Sequence, residues 1–168
     1  MDDRQRYWLG IGANLGARES NLRELVAALA AAGVAIEAVS ALYESAPREI
    51  EDQPAFLNAA LRVQSDLSPR TLLALIKAIE PALGRTPGVR YGPRMIDCDI
   101  LMWSGGNYSD DELTIPHERL AERRFALVPL VEIDPGLCLP SGRLLSALAA
   151  MIDPATQPVN RIQERRLD

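Results

Sequence analysis

Arg90-Tyr91-Gly92-Pro93-Arg94-Met95-Ile96-Asp97-Cys98-Asp99-Ile100-Leu101 decides how this chain is read. The second half alternates. Ile96, Cys98 and Ile100 fall on one face of an extended strand, and Asp97 and Asp99 fall on the other. Two carboxylates at i and i+2 of a strand sit about 7 Å apart on one side. Their mutual repulsion is relieved by a divalent cation, and hard oxygen ligands suit Mg²⁺. Gly92-Pro93 is a turn signal just ahead of the strand, and Arg90 and Arg94 flank it. Cations and carboxylates therefore converge on a small volume, a combination that fits a polyphosphate substrate. A solvated acidic strand face has the same alternation, but the adjoining Arg-x-Gly-Pro-Arg favours the first reading.

Bulk properties narrow the field. The 168 residues suit one domain, with 153–168 expected as a mobile tail. The chain is 48% hydrophobic and 24% charged, with a net charge of -5, which argues against a nucleic-acid partner. Cys98 and Cys138 match no metal-ligand spacing and read as core thiols. No targeting segment and no membrane-spanning apolar run is apparent, so a cytoplasmic protein is the default.

Around the acidic strand, the order of elements reads as two β-α-β halves followed by helical additions. A strand over 7–13 leads into Gly10-Ile11-Gly12-Ala13-Asn14-Leu15-Gly16. This G-x-G-x-x-x-G is not the dinucleotide fingerprint, and its glycines are read as letting the chain turn from strand to helix. A helix over 20–32 is expected with Ser20 as N-cap, then one strand over 34–44. The stretch 45–54 reads as a loop. The strand over 56–66 puts Phe56, Asn58, Ala60 and Arg62 on one face and Leu57, Ala59, Leu61 and Val63 on the other. An aromatic beside an amide suits a flat heterocycle. Ser68-Pro69 opens a second helix running to about 84, and 85–93 is a second loop. Further helices are expected over 125–133 and 144–151, with a short strand over 137–140. His117, the only histidine, lies in a polar junction ahead of Arg119, Arg123 and Arg124. The plan is α+β and ferredoxin-like, a mainly antiparallel sheet flanked by helices in three α/β/α layers. No G-x-x-x-x-G-K-[ST] is present, so phosphate handling needs arginines and metal on another scaffold.

The quoted stretch, with Gly10 to Gly16, residues 52–60, Ile79-Glu80 with Gly84-Arg85, and Leu113-Thr114-Ile115-Pro116-His117, resembles the 6-hydroxymethyl-7,8-dihydropterin pyrophosphokinase family. The five blocks occur in order over residues 7–152. The resemblance implies Mg-dependent transfer of pyrophosphate from ATP to the hydroxymethyl group of the dihydropterin, releasing AMP, in folate biosynthesis. By resemblance, Asp97 and Asp99 hold two Mg²⁺ ions with ATP as co-substrate. Arg85 and Arg94 join them as catalytic residues. The ATP set is Arg85, Arg90, Tyr91, Arg94, Ile100, Thr114, His117, Glu118 and Arg123. The pterin set is Ser45, Ala46, Arg48, Phe56, Asn58, Asp97 and Phe125, the two phenylalanines sandwiching the ring and Asn58 reading its edge in a bidentate manner. ATP and the pterin are the implied partners, with neither nucleic acid nor membrane, and the expected state is a monomer. Tyr91 stands where the family often has Trp, Glu118 replaces an aromatic common there, and the loop before Arg90 is one residue short. Two other readings share the fold: a non-catalytic binding module, and a transferase for another hydroxymethyl heterocycle.

Overall fold

The computed structural model describes residues 4–47, 52–84 and 96–167. Strand β1 (Gln5–Ala13) lies inside the sheet, next to its β5 edge. It pairs antiparallel with β4 (Phe56–Ser65) on one side and β5 (Asp97–Trp103) on the other. Strands β2 (Ala35–Val39) and β3 (Ala41–Ser45) both pair with β4, and β8 (Val159–Arg166) closes the edge beyond β3. The strand order is β5-β1-β4-β3-β8, antiparallel throughout. Strands β6 (Tyr108–Ser109) and β7 (Thr114–Ile115) make a separate two-stranded ribbon.

Strand alternation sorts side chains into two cores. Tyr7, Leu9 and Ile11 of β1 and Leu57, Ala59, Leu61 and Val63 of β4 face Leu22, Leu25 and Leu29 of α1 (Arg18–Ala31) and Leu72 and Ile76 of α2 (Pro69–Ala82). Trp8, Ala60 and Leu101 face Leu127 and Leu130 of α3 (Arg124–Ile133) and Leu145 and Leu148 of α4 (Leu145–Ala150). Helices thus cover both faces, the expected three-layer ferredoxin-like α+β plan. Each fully buried leucine is worth about 2–5 kcal/mol against alanine. Helix α2 begins as its sequence dictates, with the Ser68 side chain accepting from the Thr71 amide at 3.3 Å and Pro69 in the first turn.

Four local expectations are corrected. Helix α1 starts at Arg18, with Ala17 at its N-cap position, so Ser20 lies inside it. Arg18 is drawn in by donating to the Ala55 carbonyl at 2.9 Å and pairing with Glu44, which extends the helix upstream. The single strand over 34–44 is broken at Ser40. That buried hydroxyl accepts from the Ala60 amide at 2.8 Å and donates to the Ala41 carbonyl at 2.7 Å, interrupting the ladder between β2 and β3. The segment 153–168 is not a mobile tail over its described length. Its β8 lies along β3, where an uncovered edge would leave backbone groups unpaired. Cys138 is half-buried and makes only an isolated bridge with Leu144 in place of a short strand, whereas Cys98 is a core thiol; neither is in a disulfide. Among the described residues no helix is long and apolar enough to cross a membrane.

Glu37 ties three strands together. One carboxylate oxygen accepts from Arg6 Nε at 2.9 Å and from Arg62 Nε at 2.8 Å. Burial opposes its charge, but these two guanidinium hydrogen bonds prevail and hold its pKa below the ordinary 4.5. A depressed carboxylate stabilises the fold above its unfolded pKa and loses that contribution as pH falls through the folded value. Glu37→Gln is expected to cost about 1 kcal/mol at neutral pH. Urea unfolding of both proteins should show the difference shrinking as pH drops below 4.5. A difference that stays constant into strong acid contradicts this assignment.

Candidate active site

The acidic strand meets β1 across two positions that carry no side chain. On β1, Trp8, Gly10 and Gly12 share the face toward α3 and α4. Gly12 pairs with Asp97 on one side and with Asn58 on the other; Gly10 pairs with Asp99 and Ala60. Both glycines therefore lie within β1, and the turn reading given to them is corrected. Gly16, with φ 66°, is the glycine that turns the chain toward α1. A Cβ at Gly12 would stand 3.1 Å from Asn58 Oδ1, and one at Gly10 would stand 2.9 Å from Leu101 Cδ1. The alternation of Trp8 with two glycines was the available signal for this floor.

Above the floor opens a cavity of about 460 Å³. It brings together Ser45, Ala46, Phe56, Asn58, Asp97, Asp99, His117, Glu118, Arg123 and Phe125 from the expected set. These come from the ends of β3, β4 and β5, the segment after β7 and the start of α3. Arg48, Arg85, Arg90, Tyr91 and Arg94 lie outside the described residues. Two expected residues are elsewhere. The Ile100 side chain is buried in the core on the opposite face, because it sits one position out of phase with the two acids. Thr114 is held in the β6–β7 ribbon and does not line the cavity.

Asn58 is buried and oriented from one side only. Its Nδ2 donates to Ser45 Oγ at 2.7 Å and to the Tyr43 carbonyl at 3.4 Å. Its Oδ1 lies beside Gly12. Here Ser45 and Tyr43 take up the amide hydrogens, leaving Oδ1 as the acceptor. Ser45 acts through its side chain. Phe56, two residues before Asn58 and paired with Ser45, approaches the same floor. Phe125 stands in the first turn of α3, with the Arg123 guanidinium carbon 5.7 Å from its ring centroid.

His117 follows the cis Ile115–Pro116 peptide. Its main-chain amide donates to the Leu101 carbonyl at 3.0 Å, and its Nδ1 accepts from the Arg119 amide at 3.1 Å. Burial is the main cause of a lowered pKa, with the nearby Arg123 charge adding to it and Asp97 opposing it. A neutral ring accepting at Nδ1 carries its proton on Nε2, so His117 is a hydrogen-bond donor at neutral pH.

Glu80 was not singled out as a site residue. It is buried, lines the cavity, and its Oε2 accepts from the Cys98 amide at 3.2 Å, fixing the main chain between the two acids. Leu72, Ile76 and Glu80 at i, i+4 and i+8 place it on the inward line of α2, and that spacing could have found it. Among the described residues no group of three or more His, Cys, Asp or Glu is arranged to hold a metal. Asp97 and Asp99 offer two hard carboxylates on a half-exposed strand face. That donor set fits Mg²⁺, which keeps waters and takes phosphate oxygens for its remaining positions.

The family profile of 7,8-dihydro-6-hydroxymethylpterin-pyrophosphokinase (HPPK) matches residues 8–135. The 2-amino-4-hydroxy-6-hydroxymethyldihydropteridine pyrophosphokinase of Methylorubrum extorquens is 42% identical over 151 residues, covering 89% of this chain and 95% of that protein. The Bacillus subtilis protein of the same name is 45% identical over 127 residues, 75% of this chain and 76% of its own length. The mitochondrial folate synthesis bifunctional protein of Arabidopsis thaliana is 46% identical over 125 residues, 74% of this chain, and the match spans only 23% of that longer protein. The fold matches that of Plasmodium falciparum HPPK-DHPS crystallised with pteroate, with TM-score 0.70 and 16% identity over 88% of this chain and 42% of that one. The glycine-floored cavity and these relatives agree: the chain belongs to the 7,8-dihydro-6-hydroxymethylpterin-pyrophosphokinase family.

Proposed function

We propose that this chain, as a single domain, transfers the β,γ-pyrophosphoryl unit of ATP to the hydroxymethyl group of 6-hydroxymethyl-7,8-dihydropterin, giving AMP and the pterin diphosphate in folate biosynthesis. One observation carries the reading. The row Asp97, Gly12, Asn58 crosses three adjacent strands, so a metal-binding acid and a heterocycle-reading amide face one cavity. Two interstrand spacings put their main chains about 10 Å apart, enough for a hydroxymethyl group to meet a phosphate between them.

The residues divide the work. Phe56 and Phe125 hold the pterin ring by stacking, and the Asn58 oxygen accepts from an N–H at its edge. Gly12 leaves room for that ring to approach the sheet. Asp97 and Asp99 hold two Mg²⁺ ions. Mg²⁺ held there would supply positive charge against the phosphates of ATP. His117 donates from Nε2 to a phosphate oxygen without adding a full charge, while Arg123 supplies one. Asp97 is the carboxylate nearest the pterin side of the row and can take the hydroxyl proton. Arg85, Arg90 and Arg94 are assigned to the phosphates, Tyr91 to the nucleotide and Arg48 to the pterin by resemblance. The protein is proposed to act as a cytoplasmic monomer.

Mixing the protein with ATP, Mg²⁺ and the hydroxymethyl-dihydropterin should release AMP; chromatography showing ADP alone, or no nucleotide product, rejects the reading. Asp97→Asn and Asp99→Asn should each lower kcat by about three powers of ten or more with the circular-dichroism spectrum unchanged. Turnover near wild type in either variant removes the metal assignment. Gly12→Ala should weaken pterin binding about tenfold or more and leave binding of a non-hydrolysable ATP analogue within about twofold. Titration calorimetry would read both, and equal losses would show that the floor is not specific to the pterin.

A further inference from the structure

The segment after α4 lies outside the part matched by the family profile, yet it touches both walls of the heterocycle slot. An Asp153 turn shapes it: the side chain accepts from the Ala155 amide at 2.9 Å and the main-chain carbonyl from the Gln157 amide at 3.2 Å. The turn delivers Gln157 to the start of α3. There Gln157 Oε1 accepts from the Arg124 amide at 3.0 Å, its carbonyl accepts from Arg124 Nη1 at 3.1 Å, and its Nε2 donates to the Glu122 carbonyl at 2.9 Å.

Helix α3 has no cap of its own. Arg123 occupies the N-cap position and makes no side-chain cap bond. Arg124, the first helical residue, has its amide satisfied by a side chain 33 positions later. Phe125 is the next residue. A second cavity, of about 490 Å³, shares Ser45, Ala46 and Phe125 with the first and has residues 156–159 along its far side. Phe125 packs against the upper core on one side and lines open space on the other, so the start of the helix that carries it shares in setting its position. Two residues after Gln157, Val159 pairs with Ser45, whose hydroxyl holds Asn58.

We propose that Gln157 is a positioning residue for the heterocycle slot: it supplies the N-cap that α3 lacks and thereby sets Phe125. The proposal rests on the pterin reading above. A cap from a distant segment, anchored by three hydrogen bonds, couples the C-terminal strand to substrate affinity.

The test uses the full chain and its Gln157→Ala and Gln157→Glu variants. Pterin binding is titrated with a non-hydrolysable ATP analogue present, and the analogue's own affinity is measured alongside. Gln157→Ala should weaken pterin binding about fivefold to tenfold and leave the analogue within about twofold, the scale of a lost cap. Gln157→Glu keeps an oxygen for the Arg124 amide but gives up the donation to the Glu122 carbonyl, and should restore part of the affinity. Exchange of the Arg124 amide, read without ligand, should be slow in the wild type and the Glu variant and fast in the Ala variant. Unchanged pterin affinity in Gln157→Ala overturns the proposal, as does an equal loss for both ligands. Wild-type protein that binds no pterin overturns the reading beneath it, and the amide exchange then still reports whether Gln157 caps the helix.

Discussion

The absence of side chains at Gly10 and Gly12 is the constraint on which the site depends. An interior strand flanked by paired strands normally fills both its faces. Here β1 fills only one along its second half, where Leu9, Ile11 and Ala13 pack beneath the sheet. On the other face the glycines keep a trough open between the acids of β5 and the amide of β4. The trough is also where α3 and α4 stop covering the sheet. Trp8, one step before Gly10, still packs against them and donates from Nε1 to Asp134 at 2.9 Å, anchoring the far end of α3. Core and cavity are consecutive stretches of one face of one strand.

The polar groups of the site are arranged so that few are left to choose their own orientation. Asn58 is aimed by Ser45 and Tyr43, and His117 by the Arg119 amide. Tyr43 itself donates to Glu132 of α3 at 2.6 Å, so the sheet strand that orients Asn58 is tied to the helix that carries Phe125. Preorganisation of this kind reduces the ordering cost of binding a flat polar ring. It also explains why a second-row residue such as Glu80 matters: it stiffens the main chain that carries Asp97 and Asp99.

Much of this was legible in the residues. The acid-apolar alternation at 96–100 and the Phe56/Asn58 face follow from the period of a strand, which local sequence determines directly. Helix α2 follows from Ser68-Pro69 and its apolar stripe. What escaped depends on contacts distant in sequence. Ser40 breaks a strand because its hydroxyl reaches Ala60, twenty residues on. Arg18 lengthens α1 by reaching Ala55. Strand β8 forms because β3 offers an edge, and nothing in the arginine-containing 159–166 stretch announces a partner. The glycines of β1 were misread because a glycine that turns the chain and one that leaves space look alike in a sequence; only register separates them. The Ile100 side chain lies in the core, as its phase relative to Asp99 already implied.

On the proposed function, the metal-bound nucleotide and the pterin meet on the glycine face of the sheet. Paramagnetic relaxation tests it most directly. Mn²⁺ replaces Mg²⁺ together with a non-hydrolysable ATP analogue, and amide signals are followed across the protein. Broadening should be strongest at Gly10, Gly12, Asp97 and Asp99, weaker at Asn58 and Phe125, and least at Leu25 and Leu29 of α1 beneath the sheet. Broadening centred on α1, or spread evenly without a maximum at the two acids, would contradict it.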